Sequence, residues 1–203
     1  KRLKYKNIDY IKYKIPTLKD IPYFKEEKVK FTKQEIGTII HFVMQHIDLR
    51  QSLTENNIKN QVELMVDKKL LSEKEEEVVN IKKIAEFFET NIGKRMKKSS
   101  NVKRETPFVI KKEANKIIKH LDENDTILIQ GIIDCYFYEE NEIVLIDYKT
   151  DTVHDNNINM ILEQYKPQIL SYKEALEKIT GKKVKESYLY LFDISKGLAI
   201  NDH

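Results

Sequence analysis

The chain has 203 residues, 40% of them hydrophobic and 34% charged, which suits one large domain with a buried core beneath a charged surface. Its net charge of +3 is too small to indicate nucleic-acid binding by itself. No apolar run approaches the roughly 20 residues of a membrane span, so no membrane partner is expected. The single cysteine, Cys135, excludes an internal disulfide, a four-cysteine zinc site and an iron–sulfur cluster within this chain, and it fits a reducing compartment such as the cytoplasm.

The first part of the chain predicts an irregular arm followed by a helix. Residues 1–31 are polar and interrupted by prolines, which favours a linker or N-terminal arm ahead of one domain spanning 32–203. Thr32 and Glu35 have the spacing of a capping box at a helix start. Apolar residues then recur with helical spacing at Ile36, Ile39, Ile40, Val43, Met44 and Ile47.

Two further helices are predicted before the first strand. One follows Thr54, and the other follows a second capping box formed by Ser72 and Glu75. The latter is expected to be one helix with an apolar stripe over 78–88. Gly93 and the Lys/Ser-rich segment after it are expected to end this helical half.

Strands are predicted from residue 104 onward. Residues 104–112 favour a strand at the edge of a sheet, because Pro107 cannot donate a ladder hydrogen bond. A turn is expected over 120–125. The segments 126–138 and 142–149 then predict two antiparallel strands joined by a hairpin turn.

The last third predicts a long helix and two more strands. Residues 157–180 have helical periodicity, with a kink or restart expected at Pro167 and a C-terminal stop at Gly181. The segment 186–194 alternates as a core strand, and a short strand is expected over 198–200. This order predicts an α/β fold, with a mixed central sheet flanked by helices and an N-terminal helical portion.

Charged residues interrupt two of the most apolar predicted strands. Asp134 lies within the apolar run 127–137, and Asp147 and Lys149 end the next strand. Side chains alternate along a strand, so Asp147 and Lys149 project from the same side, and Asp134 can lie alongside them. Two carboxylates can hold a divalent cation, and an ammonium beside them can meet a phosphate. The combination favours metal-dependent phosphodiester hydrolysis, and a buried structural Asp–Lys ion pair is the alternative.

Four other residues are weaker candidates for the same site. His41 lies among apolar residues of the first helix, where a core histidine is the usual interpretation and a metal ligand the alternative. Gln168 and Tyr172 are four residues apart and therefore share a helix face. The alternative is that this face simply packs on the sheet. Glu105 lies on the strand before the hairpin.

Taken together, these motifs resemble the RecB-type nuclease domain of the PD-(D/E)XK superfamily. Within this superfamily, the sequences of the motifs are most similar to those of the C-terminal nuclease domains of the AddA family of bacterial helicase–nucleases, and the resemblance covers about residues 36–192. The motifs, in chain order, are Gly37-Thr38-x-x-His41, Glu105-Thr106-Pro107-Phe108, Gly131-Ile132-Ile133-Asp134, Asp147-Tyr148-Lys149-Thr150-Asp151 and Gln168-x-x-x-Tyr172.

The resemblance implies a restriction-endonuclease-like fold and a set of roles. His41, Asp134 and Asp147 would ligate Mg²⁺, with Mn²⁺ as an alternative ion. The backbone carbonyl of Tyr148 would be a further ligand. Lys149 would be the catalytic lysine, acting together with Asp134 and Asp147.

The resemblance also implies a substrate and a setting. Gln168 and Tyr172 would position DNA or brace the site, and Glu105 would have a supporting role. The substrate would be mainly single-stranded DNA, delivered by the helicase portion of the same polypeptide beside an AddB-like partner subunit, for exonuclease cleavage in double-strand break processing and recombination. The chain starts at Lys1 and contains no Gly-x-x-x-x-Gly-Lys-Ser/Thr phosphate loop, so we expect a nuclease piece of a larger protein. A non-catalytic DNA-binding or scaffolding domain and a stand-alone restriction-type endonuclease are the alternatives.

Overall fold

The structure, a computed structural model, describes residues 30–113, 126–154 and 157–201. The arm predicted for 1–31 lies outside these residues except for its last two positions. The turn predicted for 120–125 also lies outside them. No helix within the described ranges has the length and apolar character needed to cross a membrane.

Five helices precede the sheet in the described part of the chain. They are α1 (Lys33–His46), α2 (Glu55–Asp67), α3 (Glu73–Glu76), α4 (Ile81–Glu89) and α5 (Asn91–Lys98). Both predicted capping boxes are confirmed. The side chains of Thr32 and Ser72 each accept from the backbone N–H three residues on, and the side chain of the glutamate at that position accepts from the backbone N–H of the capping residue. The predicted helix after Thr54 is confirmed as α2.

The single helix predicted after Ser72 is wrong, because the chain divides into α3, α4 and α5. Asn80 caps α4 by accepting from the N–H of Lys83, which starts a new helix where the stripe was expected to continue. Gly93 does not end the helical half but lies inside α5, whose cap Thr90 accepts from the Gly93 N–H. The caps carry more information here than the apolar period.

The sheet has five strands in the order β1-β2-β3-β4-β5. They are β1 (Val102–Glu113), β2 (Thr126–Glu139), β3 (Glu142–Lys149), β4 (Val184–Leu191) and β5 (Lys196–Ala199). Among the strands in the described ranges, β3 and β4 are the parallel pair, and α6 (Ile158–Thr180) connects them. The predicted α/β class, mixed sheet, hairpin and edge position of Pro107 are confirmed. The strand predicted for 186–194 ends earlier, in a 3₁₀ turn over Phe192–Ile194.

The long helix α6 continues through Pro167, so the predicted restart does not occur. Pro167 is exposed, and its ring points away from the sheet while Ile161, Ile169 and Tyr172 are buried around it. Packing of this face compensates for the helical hydrogen bond that proline cannot donate. The predicted stop is confirmed: Gly181 has φ +65° in the left-handed region.

Helices cover both faces of the sheet. The N-terminal helices pack against one face around Val144, Ile146 and Tyr148, and α6 packs against the other around Ile143 and Leu145. β3 is therefore buried on both faces from 143 to 148, as its apolar run predicts. Cys135 fills the first core, where burial raises the pKa of its thiol to about 12.

Candidate active site

The site lies at an irregularity in β1 and β2, where the alternation of side chains between the two faces of the sheet is interrupted. Cys135 belongs to the core under the N-terminal helices, whereas Ile133 belongs to the core under α6, although residues two apart on a regular strand share a face. In the β1–β2 register, the residue pairs before and after this point place Glu105 opposite Asp134. Glu105 has a φ of 47°, in the left-handed region. A non-glycine residue there costs about 1–2 kcal/mol. The irregularity turns two neighbouring carboxylates toward one place.

The end of the β2–β3 hairpin adds the second aspartate and the lysine. The last regular pair joins Cys135 and Ile146, and beyond it the Asp134 Oδ2 accepts from the backbone N–H of Tyr148 at 2.7 Å. Asp147 is fully buried, and the Lys149 Nζ lies 2.5 Å from its Oδ2. This contact confirms that Asp147 and Lys149 project from the same side.

His41 reaches the same place from α1. Its Nε2 lies 3.1 Å from the carbonyl oxygen of Tyr148, and its Nδ1 lies 3.5 Å from Asp134 Oδ1 and 3.4 Å from Glu105 Oε1. Gly37, one turn earlier, permits this approach, because a Cβ there would lie 3.1 Å from the Thr150 hydroxyl. The Gly-Thr-x-x-His spacing thus brings α1 against the end of β3.

The electrostatics of the cluster follow from burial and mutual contact. Burial lowers the pKa of His41, but the Asp134 and Glu105 carboxylates outweigh this effect and raise it to about 10. Burial raises the pKa of Asp134, but His41 outweighs it, and the net shift is downward. Burial, reinforced by the charge of Asp134, raises the pKa of Asp147 to about 7.

These residues fit a divalent cation. One ligand atom each from His41, Glu105 and Asp134 lies within 4.8 Å of the others, and carboxylates with an imidazole suit Mg²⁺ or Mn²⁺. Both Asp147 carboxylate oxygens are buried, and among the described residues neither has a well-aligned hydrogen-bond donor, although the Lys149 ammonium lies beside one of them. A buried carboxylate with so few partners is costly unless a cation covers it.

Comparison with known proteins decides the family. The sequence profile described as the PD-(D/E)XK nuclease superfamily matches residues 11–200. The chain belongs to the PD-(D/E)XK nuclease superfamily. The sheet and its helices agree with the fold expected of this superfamily, and the predicted resemblance is confirmed.

Curated relatives carry a more specific name, that of an ATP-dependent helicase/nuclease subunit. The chain is 47% identical over 195 residues to the protein of that name from Alkaliphilus oremlandii, and the match covers 95% of the chain and 16% of the relative. It is 51% identical over 174 residues to the Thermoanaerobacter protein of the same name, covering 84% of the chain and 14% of the relative. For the corresponding Clostridium botulinum protein the identity is 44% over 184 residues, with 89% and 14% covered. The chain thus spans about a sixth of the length of these relatives.

The nuclease domain brings together most of the predicted site residues. His41, Asp134, Asp147, Lys149 and the carbonyl of Tyr148 meet at one end of β3. Glu105, predicted only as a supporting residue, lies among the candidate ligand atoms themselves. Its left-handed conformation and its place opposite Asp134 could not be deduced from the strand pattern.

Gln168 and Tyr172 lie on the sheet-facing side of α6. Gln168 Nε2 donates to the Tyr172 hydroxyl at 2.6 Å, and the Tyr172 ring makes an edge contact with Phe108 at 5.5 Å between centroids. A bracing role for these two residues stays a prediction. A DNA contact by either residue stays a prediction.

In this nuclease domain, Tyr165 contacts Lys149 and Asp151 contacts Tyr165, and the sequence assigned a role to neither. The Lys149 Nζ lies 4.5 Å from the centroid of the Tyr165 ring, and the Tyr165 hydroxyl donates to Asp151 at 3.1 Å. One signal pointed to Tyr165, because it precedes Gln168 by three residues and so shares its helix face.

A groove gives access to the cluster from the side of α1. It has a volume of about 440 Å³ and is lined by Phe42, Gln45, Leu70, His41 and Glu105 among others. His41 and Glu105 are therefore reachable from the surface, whereas Asp134 and Asp147 are buried behind them.

Proposed function

We propose that this domain hydrolyses DNA phosphodiester bonds with a divalent cation held by His41, Asp134, Asp147 and the carbonyl of Tyr148. The meeting of His41, Asp134 and the Tyr148 carbonyl at the end of β3, next to the buried and poorly satisfied Asp147 of the same strand, carries the proposal. Glu105 is an additional candidate ligand. When bound, Mg²⁺ or Mn²⁺ lowers the pKa of a coordinated water and offsets charge on the leaving oxygen.

Lys149 supplies the positive charge that acts on the substrate. Burial lowers the pKa of its ammonium, but Asp147 and Asp134 outweigh that effect and raise it, so the group stays charged at physiological pH. Its side chain is 14% exposed, which places the charge in a site where water screens it little. Lys149 would orient the attacking water or stabilise the charge of the phosphorane-like transition state.

The remaining groups hold the ligands in place. The Tyr148 N–H fixes Asp134 Oδ2, which leaves Oδ1 facing His41. The contact of His41 Nε2 with the Tyr148 carbonyl brings α1 and β3 together at the cation position. Preorganised ligands of this kind lower the cost of binding the ion.

The similarity to proteins named as ATP-dependent helicase/nuclease subunits supports a wider setting. We propose that residues 32–203 form a nuclease domain that receives mainly single-stranded DNA from a helicase portion of the same polypeptide, beside an AddB-like partner subunit. The products would serve double-strand break processing and recombination in the bacterial cytoplasm. Exonuclease cleavage is the mode that suits a strand fed from a motor.

Cleavage of single-stranded DNA by the purified chain tests this function. The wild type should cut with Mg²⁺ or Mn²⁺ and stop with chelator, and Asp147→Ala and Lys149→Ala should lose at least about 10²-fold in rate. Asp67→Ala, at the exposed end of α2, is the control and should cut like the wild type. Equal cutting by Asp147→Ala would refute the assignment. A folded wild type that binds the cation and DNA but never cuts would instead favour a binding or scaffolding module.

A further inference from the structure

We infer that Tyr165, anchored by Asp151, is a positioning residue that keeps the Lys149 ammonium in place for hydrolysis. The inference rests on the proposed function, because it concerns the lysine of the same site. Neither residue belongs to the candidate ligand set, so a change in either leaves the cation site itself intact.

The Lys149 ammonium contacts both an anion and an aromatic face. Asp147 Oδ2 is 2.5 Å from its Nζ, and the Nζ lies over the Tyr165 ring, 4.5 Å from the centroid. The negative face of an aromatic ring attracts a cation, and the attraction grows as water is removed. At 14% side-chain exposure, Lys149 has little water to replace either neighbour.

The ring matters most once Asp147 binds a cation. If the Asp147 oxygens coordinated the ion, they would hold the Lys149 ammonium less strongly. With no other contact, the long lysine side chain would then regain rotamer freedom. The Tyr165 face does not coordinate the ion, so it continues to hold the ammonium. A catalytic group needs this restriction, because a misplacement of about 1 Å can cost about 10²-fold in rate.

Asp151 fixes the ring through a rigid segment. The Tyr165 hydroxyl donates to the two Asp151 carboxylate oxygens at 3.1 and 3.3 Å. Two hydrogen bonds hold the segment that contains Asp151. The Thr152 hydroxyl accepts from the Lys33 ammonium at 2.9 Å, and the backbone N–H of Val153 donates to Asp193 at 2.8 Å. The end of β3, α1, α6 and the turn after β4 therefore all contribute to the position of the ring.

Two substitutions separate the ring from its hydroxyl. Tyr165→Leu removes the aromatic face, and we expect kcat on single-stranded DNA to fall roughly 5- to 30-fold with KM changed less than about 2-fold. Tyr165→Phe keeps the face and should recover most of kcat, while Asp151→Asn should resemble Tyr165→Phe. Tyr188→Leu is the matched control, because Tyr188 also donates to a carboxylate, Glu186, at 2.7 Å. It should leave kcat at the wild-type level.

A spectroscopic measurement tests the inference without cleavage. In protein with ¹³C-labelled lysine, ring current should move the ε-CH₂ protons of Lys149 upfield of the other lysines, with assignment by Lys149→Ala. With Mg²⁺ added, the shift should persist in the wild type and Tyr165→Phe and vanish in Tyr165→Leu. A Lys149 signal that is the same in Tyr165→Leu and the wild type, or an unchanged kcat in Tyr165→Leu, would overturn the inference. If the wild type fails to cut DNA, the proposed function fails, and the lysine spectrum still decides whether Tyr165 holds Lys149.

Discussion

Replacing Asp134 by Asn should remove most of the proton affinity of His41. Burial lowers the pKa of His41, and the Asp134 and Glu105 carboxylates raise it to about 10 from an ordinary 6.5. The rise from 6.5 to about 10 corresponds to a net stabilisation of the protonated ring on the order of 5 kcal/mol, at about 1.4 kcal/mol for each tenfold change in proton affinity. In Asp134→Asn the burial remains and the Glu105 carboxylate still contacts the ring, so the pKa should fall to near or below its ordinary value.

The same proton makes the metal-free protein less stable in alkali. Because the folded-state pKa of His41 lies above its unfolded value, its contribution to the free energy of unfolding is complete below about pH 6.5. That contribution is lost as the pH rises through about 10. With chelator present, the urea midpoint of the wild type should therefore fall between pH 7 and 10, and that of Asp134→Asn should change less.

Both effects can be measured on the same samples. Imidazole resonances followed by NMR between pH 5 and 11 give the pKa of His41, and urea unfolding over the same range gives the linked stability. His46→Gln is the control, since His46 is exposed on the same helix and contacts the Phe42 carbonyl at 2.8 Å. A pKa of His41 near 6.5 in the wild type, or one that is unchanged in Asp134→Asn, would refute this account of the site.

Three further predictions concern stability. Arg95→Ala should lower the free energy of unfolding by about 2–3 kcal/mol, because Arg95 makes a bidentate ion pair with Glu139 at 2.8 Å. Arg95 lowers the pKa of Glu139 to about 2, so the contribution of this carboxylate to stability is present above its unfolded value of about 4.5 and is lost as the pH falls toward 2. Gly93→Ala should cost about 2–3 kcal/mol, because its Cβ would lie 2.2 Å from the Phe87 carbonyl oxygen. Asp147→Asn should abolish cleavage, and at pH 8 it should raise the urea midpoint of the metal-free protein, because burial and the charge of Asp134 disfavour the Asp147 carboxylate even with Lys149 beside it.

Matched variants separate these effects from general damage in denaturant unfolding. Arg50→Ala should leave the urea midpoint almost unchanged, because the Arg50 side chain is 90% exposed and water screens its ion pair with Asp48. Gly181→Ala should cost only about 1 kcal/mol, since a Cβ there meets nothing within 4 Å and only the positive φ opposes it. Equal losses in each pair, or a lower midpoint for Asp147→Asn at pH 8, would contradict the reasoning.

Local chemistry predicted much of the fold. The capping boxes, the β2–β3 hairpin and the stop at Gly181 depend on neighbours within a few residues, so the sequence alone revealed them. The prediction of one helix after Ser72 was wrong because Asn80 caps the start of a new helix at a point where the apolar period continues. The restart predicted at Pro167 failed because packing of α6 on the sheet outweighs the lost hydrogen bond.

The sequence by itself indicated that Asp134, Asp147 and Lys149 lie close together, because charges that interrupt buried apolar strands need partners and alternation puts two of them on one side. Its motif order also pointed to the nuclease superfamily that the comparison confirmed. Only the tertiary structure decided that Glu105 joins the candidate ligands, because a change of face at one register position brings it opposite Asp134. The same holds for Tyr165: its position on the Lys149 ammonium depends on how α6 packs back across the sheet, which is a contact between segments that no local pattern records.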